Sequence, residues 1–123
     1  MEINELMVGD WVNIAIEEYN NPTLIKEIGL FWVKVIKDKM EYSNILVTPI
    51  PLTTEILEKY GFVEKSERRW VLSDEYTGDE VLVLYEVANA FAMTTEGMTI
   101  GLQNVHELQH LFKLCGIDKE IEL

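Results

Sequence analysis

With a single cysteine, Cys115, among its 123 residues, the chain can form no internal disulfide, and its stability has to come from a packed core. Cations are scarce too. Ten Lys and Arg stand against 22 Asp and Glu, a formal charge of -12, and a field of that sign repels nucleic-acid phosphates and anionic membranes over most of the surface. The longest apolar stretch, Ile28 to Ile36, is interrupted by Lys34 and falls well short of the roughly 20 residues of a membrane-spanning helix. Met1 to Glu5 carries acids where a secretory signal would carry cations followed by an apolar run. The glycines are scattered singly, and none stands before Lys-Ser or Lys-Thr, which excludes a phosphate-binding loop of the familiar kind. These absences predict a cytoplasmic protein that binds neither nucleic acid nor membrane.

The hydrophobic content of 48% is enough for one compact domain, or for two small subdomains that share a core. Leu6, Val8 and the turn Gly9-Asp10 lead into a half-buried strand pattern over Trp11 to Ile16. Asn20, Asn21 and Pro22 break it, and Leu24 to Ile28, Phe31 to Lys37 and Ser43 to Thr48 read as further strands. The opening apolar-x-x-Gly-Asp-x-Val phrase predicts a small SH3-like β-barrel or meander over residues 1–48. Pro49-Ile50-Pro51 then imposes an extended link. Thr53 is placed to cap a helix over Thr54 to Tyr60, which Gly61 ends.

Downstream, Arg69 to Leu72, Val81 to Val87, Phe91 to Thr94 and Met98 to Leu102 alternate with turn signals at Thr77-Gly78-Asp79, Ala88-Asn89 and Glu96-Gly97, the pattern of an antiparallel meander. A closing helix follows. The expectation is therefore an α+β chain with a β subdomain over 1–48 and a helix-meander-helix subdomain over 49–123, the two together making one compact unit.

Both histidines lie on that closing helix, in His106-Glu107-Leu108-Gln109-His110, the HExxH spacing of zinc peptidases. On a helix, residues at i and i+4 share a face, so two imidazoles there can ligate zinc while the glutamate acts on its water. Angular bookkeeping points elsewhere. At about 100° per residue, Val105, Leu108, Leu111, Phe112 and Cys115 form one apolar stripe, with Cys115 a small core hydrophobe, and His106 and His110 project opposite it towards solvent beside Lys113. The metzincin extension needs Gly and His where Lys113 and Gly116 stand, and the tail from Ile117 to Leu123 is too short for a second packed helix carrying a third ligand. The expectation is that there is no catalytic residue, metal site or cofactor, the alternative being a zinc hydrolase with His106 and His110 as ligands and Glu107 as base.

Weaker candidates have structural readings. Asp74, Glu75, Asp79 and Glu80 crowd one loop without the ligand order of a calcium loop. Trp11, Trp32 and Trp70 lie in strand patterns and read as core. Lys65, Arg68 and Arg69 form a small basic cluster flanked by Glu64 and Glu67.

Three segments, INELMVGDWV, PIPLTTEILEKYGF and VHELQHLFKLCGI, resemble landmarks of a family of small uncharacterised proteins from Bacteroides-type gut bacteria and their phages and mobile elements, in the same order over nearly the whole chain. The resemblance implies provenance more than activity. Members of that family often carry VHQLQN at the closing helix, which implies that residues matching Glu107 and His110 are dispensable to a shared role. The functional expectation is a non-enzymatic protein-interaction module whose partner has a basic surface, with homo-oligomers possible. An acidic mimic of nucleic acid that occupies a basic host protein is the narrower alternative.

Overall fold

A computed structural model describes residues 1–16, 22–36, 40–88, 90–95 and 97–123. Of the sequence-based expectations, the break at Asn20 and Asn21, the strand end at Lys37 and the turn residues Asn89 and Glu96 lie outside these residues. The chain is α+β, with two five-stranded antiparallel sheets and two α-helices among the described residues. It divides into two compact units. The first comprises residues 1–51, 104–117 and Leu123, and the second residues 52–103 and 118–122. The division expected at residue 48 thus falls three residues later, and the closing helix belongs with the N-terminal strands instead of the meander.

In the first unit, strands β1 (Trp11–Ile14), β2 (Thr23–Ile28), β3 (Trp32–Val35), β4 (Glu41–Ser43) and β5 (Val47–Pro49) form a sheet in the order β4-β3-β2-β1-β5. β4 and β5 remain its edges, so the sheet is not closed into a barrel. The single strand expected over Ser43 to Thr48 is split by a 3-10 turn at Asn44–Leu46. Its cause is local. The Ser43 hydroxyl accepts from the Ile45 N–H at 3.3 Å, offering the backbone a turn in competition with the ladder. Val12, Ile14, Ile25, Val33, Val35, Tyr42 and Val47, with Leu6, make the buried core.

Helix α2 (Val105–Leu114) completes this unit. The Val105 N–H donates to the Ile50 carbonyl at 2.8 Å, which fixes where the helix starts. Val105, Leu108, Leu111 and Phe112 are buried, as the stripe requires. Cys115 is not. It is the exposed C-cap, because Gly116 at φ 69° reverses the chain and the Ile117 N–H bonds back to the Phe112 carbonyl at 2.8 Å, a helix stop that leaves Cys115 beyond the last buried turn.

The second unit holds α1 (Thr54–Tyr60) and strands β6 (Val63–Ser66), β7 (Arg69–Ser73), β8 (Glu80–Val87), β9 (Ala90–Thr95) and β10 (Met98–Leu102), in the order β10-β9-β8-β7-β6. The helix follows its sequence signals. Thr53 Oγ1 accepts from the Ile56 N–H at 3.3 Å, and Gly61 ends the helix at φ 98°, a left-handed conformation that costs a side chain energy. Trp70 pairs with Leu84, and Leu72 with Leu82; all four are buried on one face of the sheet, and Leu57, Tyr60 and Phe62 supply buried groups from the helix and its stop. A β-carbon on Gly61 would lie 3.6 Å from Leu72 Cδ1, so the end of α1 rests on β7. β6 carried no sequence signal because all four of its residues are exposed on a sheet edge, where burial imposes no alternation.

The stripe of α2 supplies a stability test. Leu108 is fully buried and Leu114 is 85% exposed. Leu108→Ala is expected to lower unfolding free energy by about 2 to 5 kcal/mol, and Leu114→Ala by under about 0.5 kcal/mol, measured by urea denaturation.

Candidate functional site: the polar face of the closing helix

Gly9 and Asp10 form a turn that sequence patterning treats only as a strand opener. Its left-handed glycine, φ 92°, lets the Asp10 N–H donate back to the Met7 carbonyl at 3.1 Å. The Asp10 side chain then folds over its own turn and accepts from the Met7 N–H at 2.8 Å. Backbone bonds on both sides tie the turn to β2. The Gly9 N–H donates to the Ile25 carbonyl at 2.8 Å, and the Ile25 N–H donates to the Asp10 carbonyl at 3.0 Å. The result is a carboxylate with 0% of its surface exposed. An ionised carboxylate in that position requires donors.

Helix α2 supplies them. His110 Nε2 lies 3.0 and 2.8 Å from the two Asp10 oxygens. A carboxylate can only accept, so the imidazole proton belongs on Nε2. One residue earlier, the Gln109 amide spans the same turn. Its Nε2 donates to the Gly9 carbonyl at 2.9 Å, and its Oε1 accepts from the Trp11 N–H at 2.9 Å. Gln109 therefore does for residues 9 and 11 what a neighbouring strand would do, and Asp10 is clamped between.

His106, one turn before His110, is 5% exposed, and its Nδ1 is buried without a hydrogen-bond partner among the described residues. The two rings meet edge to face, with centroids 5.6 Å apart. Desolvation holds the His106 imidazole below its ordinary pKa, opposed by the charges of Asp10, Glu107 and Glu5 and assisted by that of His110.

This geometry corrects the expectation that both histidines point into solvent: His106 is buried, while the His110 side chain keeps 26% of its surface exposed. Their angular position opposite the apolar stripe is right, but the Met7–Trp11 segment partly covers that side through the bonds to Gln109 and His110. Amphipathic patterning identifies the greasy side of a helix; it does not exclude burial of a polar side by hydrogen bonding.

The zinc alternative fares poorly on the same atoms. Glu107 Oε1 accepts from the backbone N–H of Asn104 at 3.0 Å and from Asn104 Nδ2 at 3.1 Å, an N-terminal capping arrangement that turns the carboxylate back to the helix start. His110 Nε2 is committed to Asp10. Among the described residues no group of three or more His, Cys, Asp or Glu is arranged to hold a metal ion. HELQH thus brings together a capping residue, a buried imidazole, a backbone clamp and a carboxylate partner. These are structural duties, and they do not fit a peptidase zinc.

The other candidates separate in space or acquire partners. Asp74 Oδ1 accepts from the N–H groups of Tyr76 and Thr77 at 2.8 and 3.0 Å, and these backbone bonds hold its pKa below the ordinary value. Glu80 bridges Arg69 at 2.8 Å and Glu75 faces Lys119 at 3.8 Å, so the acidic loop is spent on turn formation and ion pairs. Trp11 and Trp70 are buried, with Trp70 Nε1 donating to Glu86 Oε1 at 2.6 Å, while Trp32 is half-buried. Sequence reasoning missed Asp10 and Gln109. The available signal was a Gly-Asp turn in a chain whose only imidazoles stand one helical turn apart. No family model, curated protein or solved structure matches the chain.

Two outcomes are expected. Asp10→Ala and His110→Ala should each destabilise by about 1 to 3 kcal/mol, since His110→Ala leaves the buried Asp10 carboxylate short of a donor and Asp10→Ala removes the acceptor of both the Met7 N–H and His110 Nε2. In a double-mutant cycle the two should couple by at least about 0.5 kcal/mol; additive effects would remove the interaction from the account. The second concerns acid. Because the folded state holds the His106 pKa low, the unfolded chain binds a proton first as pH falls through the ordinary imidazole value of about 6.5. Stability is unaffected well above that pH, and is lost between it and the lower folded-state pKa. Urea midpoints at pH 7.5 and 5.5 should therefore fall further for the native chain than for His106→Phe.

Proposed function

We propose that this protein is a non-enzymatic interaction module that recognises a protein with a basic surface. The observation that carries the reading is the commitment of the HELQH side chains to the fold: His110 to Asp10, Gln109 to Gly9 and Trp11, and Glu107 to Asn104. With its one catalytic motif so occupied, the chain's remaining means of recognition is its surface. That surface carries 12 more acids than cations, a field that accelerates encounter with basic partners and slows encounter with phosphate backbones. A decoy that occupies the nucleic-acid site of a basic host protein is the same electrostatic reading with a narrower partner.

The strand order β4-β3-β2-β1-β5 with a 3-10 turn before the last strand supports an SH3-like relationship for the first unit. The proposed setting is the cytoplasm of Bacteroides-type bacteria, on a phage or mobile element; composition supports the compartment, and the three sequence landmarks support the rest.

Affinity purification from the native host at about 50 and about 500 mM salt tests the reading. Basic proteins should be enriched and should fall away at the higher concentration, and labelled duplex DNA should show no micromolar binding at the lower one. Tight duplex binding weakened by Arg68→Ala and Arg69→Ala would contradict it.

A further inference from the structure

Large apolar side chains that stand almost free in water carry a continuing hydration cost, and a cluster of them calls for an occupant. The first unit has such a cluster. Leu30 and Phe31, at the turn joining β2 to β3, are 83% and 75% exposed, and Ile45, in the 3-10 turn after β4, is 81% exposed. They are brought together by backbone: the Asn44 N–H donates to the Phe31 carbonyl at 2.9 Å, which places Ile45 beside the hairpin turn. The platform next to them is fixed. The Trp32 indole fills the space that a β-carbon on Gly29 would need, and it carries Lys34 Nζ 5.7 Å from its ring centroid.

Among the described residues around this cluster, carboxylates outnumber cations. Lys34 pairs across the sheet with both Glu27 and Glu41 and bridges Glu27 at 3.4 Å, which leaves Glu41 without that cation. Glu2 is exposed and adjoins the same turn, because Asn44 Nδ2 donates to the Met1 carbonyl at 2.9 Å. Among the described residues, three carboxylates thus accompany two ammonium groups, Lys34 and the N-terminus of Met1, which donates to the Asn44 carbonyl at 3.0 Å. A second copy of the chain would bring the same acidic rim and a charge of -12 against -12, so self-association through this face is opposed. An apolar anchor flanked by Lys or Arg meets both features.

We propose that Leu30, Phe31, Trp32 and Ile45 form the docking surface of this protein for a partner segment that presents apolar side chains flanked by Lys or Arg. The proposal rests on the interaction-module reading above and names the surface and the chemistry of its partner. The apolar side chains would anchor against Phe31, Leu30 and the indole, and the cations would meet Glu2, Glu27 and Glu41.

Selection of a random displayed peptide library on the full chain tests it, with the triple variant Leu30→Ser, Phe31→Ser, Ile45→Ser for comparison; the three side chains are exposed, and retained melting behaviour verifies the fold. Enriched peptides should combine apolar residues with Lys or Arg, bind the variant at least about tenfold more weakly, and lose affinity between about 50 and about 500 mM salt. Enriched peptides that are acidic, or that bind the variant as well as the native chain, would overturn this surface while leaving the interaction-module reading in place. Self-association abolished in the variant would also overturn it, naming a second copy as the occupant. Failure to enrich any peptide would overturn the proposal, and if host purification also yielded no partner, the wider reading would fall with it.

Discussion

One buried carboxylate governs the N-terminal unit. Asp10 has no exposed surface, yet it receives the Met7 N–H and His110 Nε2 on its side chain and the Ile25 N–H on its carbonyl. A charge in that position is tolerable only while its donors stay in place. The turn, β2 and α2 come from distant parts of the chain, and Asp10 requires all three at once. The apolar core of Val12, Ile14, Ile25, Val33, Val35 and Val47 supplies non-directional attraction. The carboxylate supplies direction, because the closing helix meets its ligands in only one rotational setting.

That constraint explains why a five-residue motif can look catalytic and be structural. HExxH places two imidazoles on one helical face for geometric reasons alone, and any use that needs two neighbouring imidazoles can draw on that spacing. Here the pair meets a carboxylate and a protein wall. His110 is held by the carboxylate, His106 is desolvated beside it, and Glu107 holds the helix start. The same letters on a helix facing an open cleft would carry different chemistry.

Much of the secondary structure was readable from pattern. Thr53, Glu55 and Gly61 delimit α1 at the residues the capping signals indicate, and strands β7 to β10 fall where their apolar patterns place them, since both are fixed by local chemistry. Elements decided by tertiary context were not. β6 is an exposed edge strand with no alternation, and the Ser43 hydroxyl divides an otherwise plausible strand. The polar face of α2 was placed at the right angle and assigned a more open environment than it has, most of all at the buried His106. Nothing in residues 105–115 says that Gly9, Asp10 and Trp11, about a hundred positions earlier, will cover it. Cys115 was misread by one residue of helix length, as Gly116 ends the helix before the stripe reaches it.

With the HELQH side chains bonded within the fold, the proposed recognition surface lies among exposed apolar side chains elsewhere. The central claim is that HELQH works as a structural latch, and the imidazole nitrogens report on it directly. Long-range proton–nitrogen correlation spectra, recorded near neutral pH before and after one equivalent of zinc, distinguish the two uses of the motif. The account expects His110 with its proton on Nε2, as the Asp10 bond requires, and no change at either histidine on adding zinc. Loss of that Nε2 proton, with both imidazoles shifted together by a single equivalent, would contradict it.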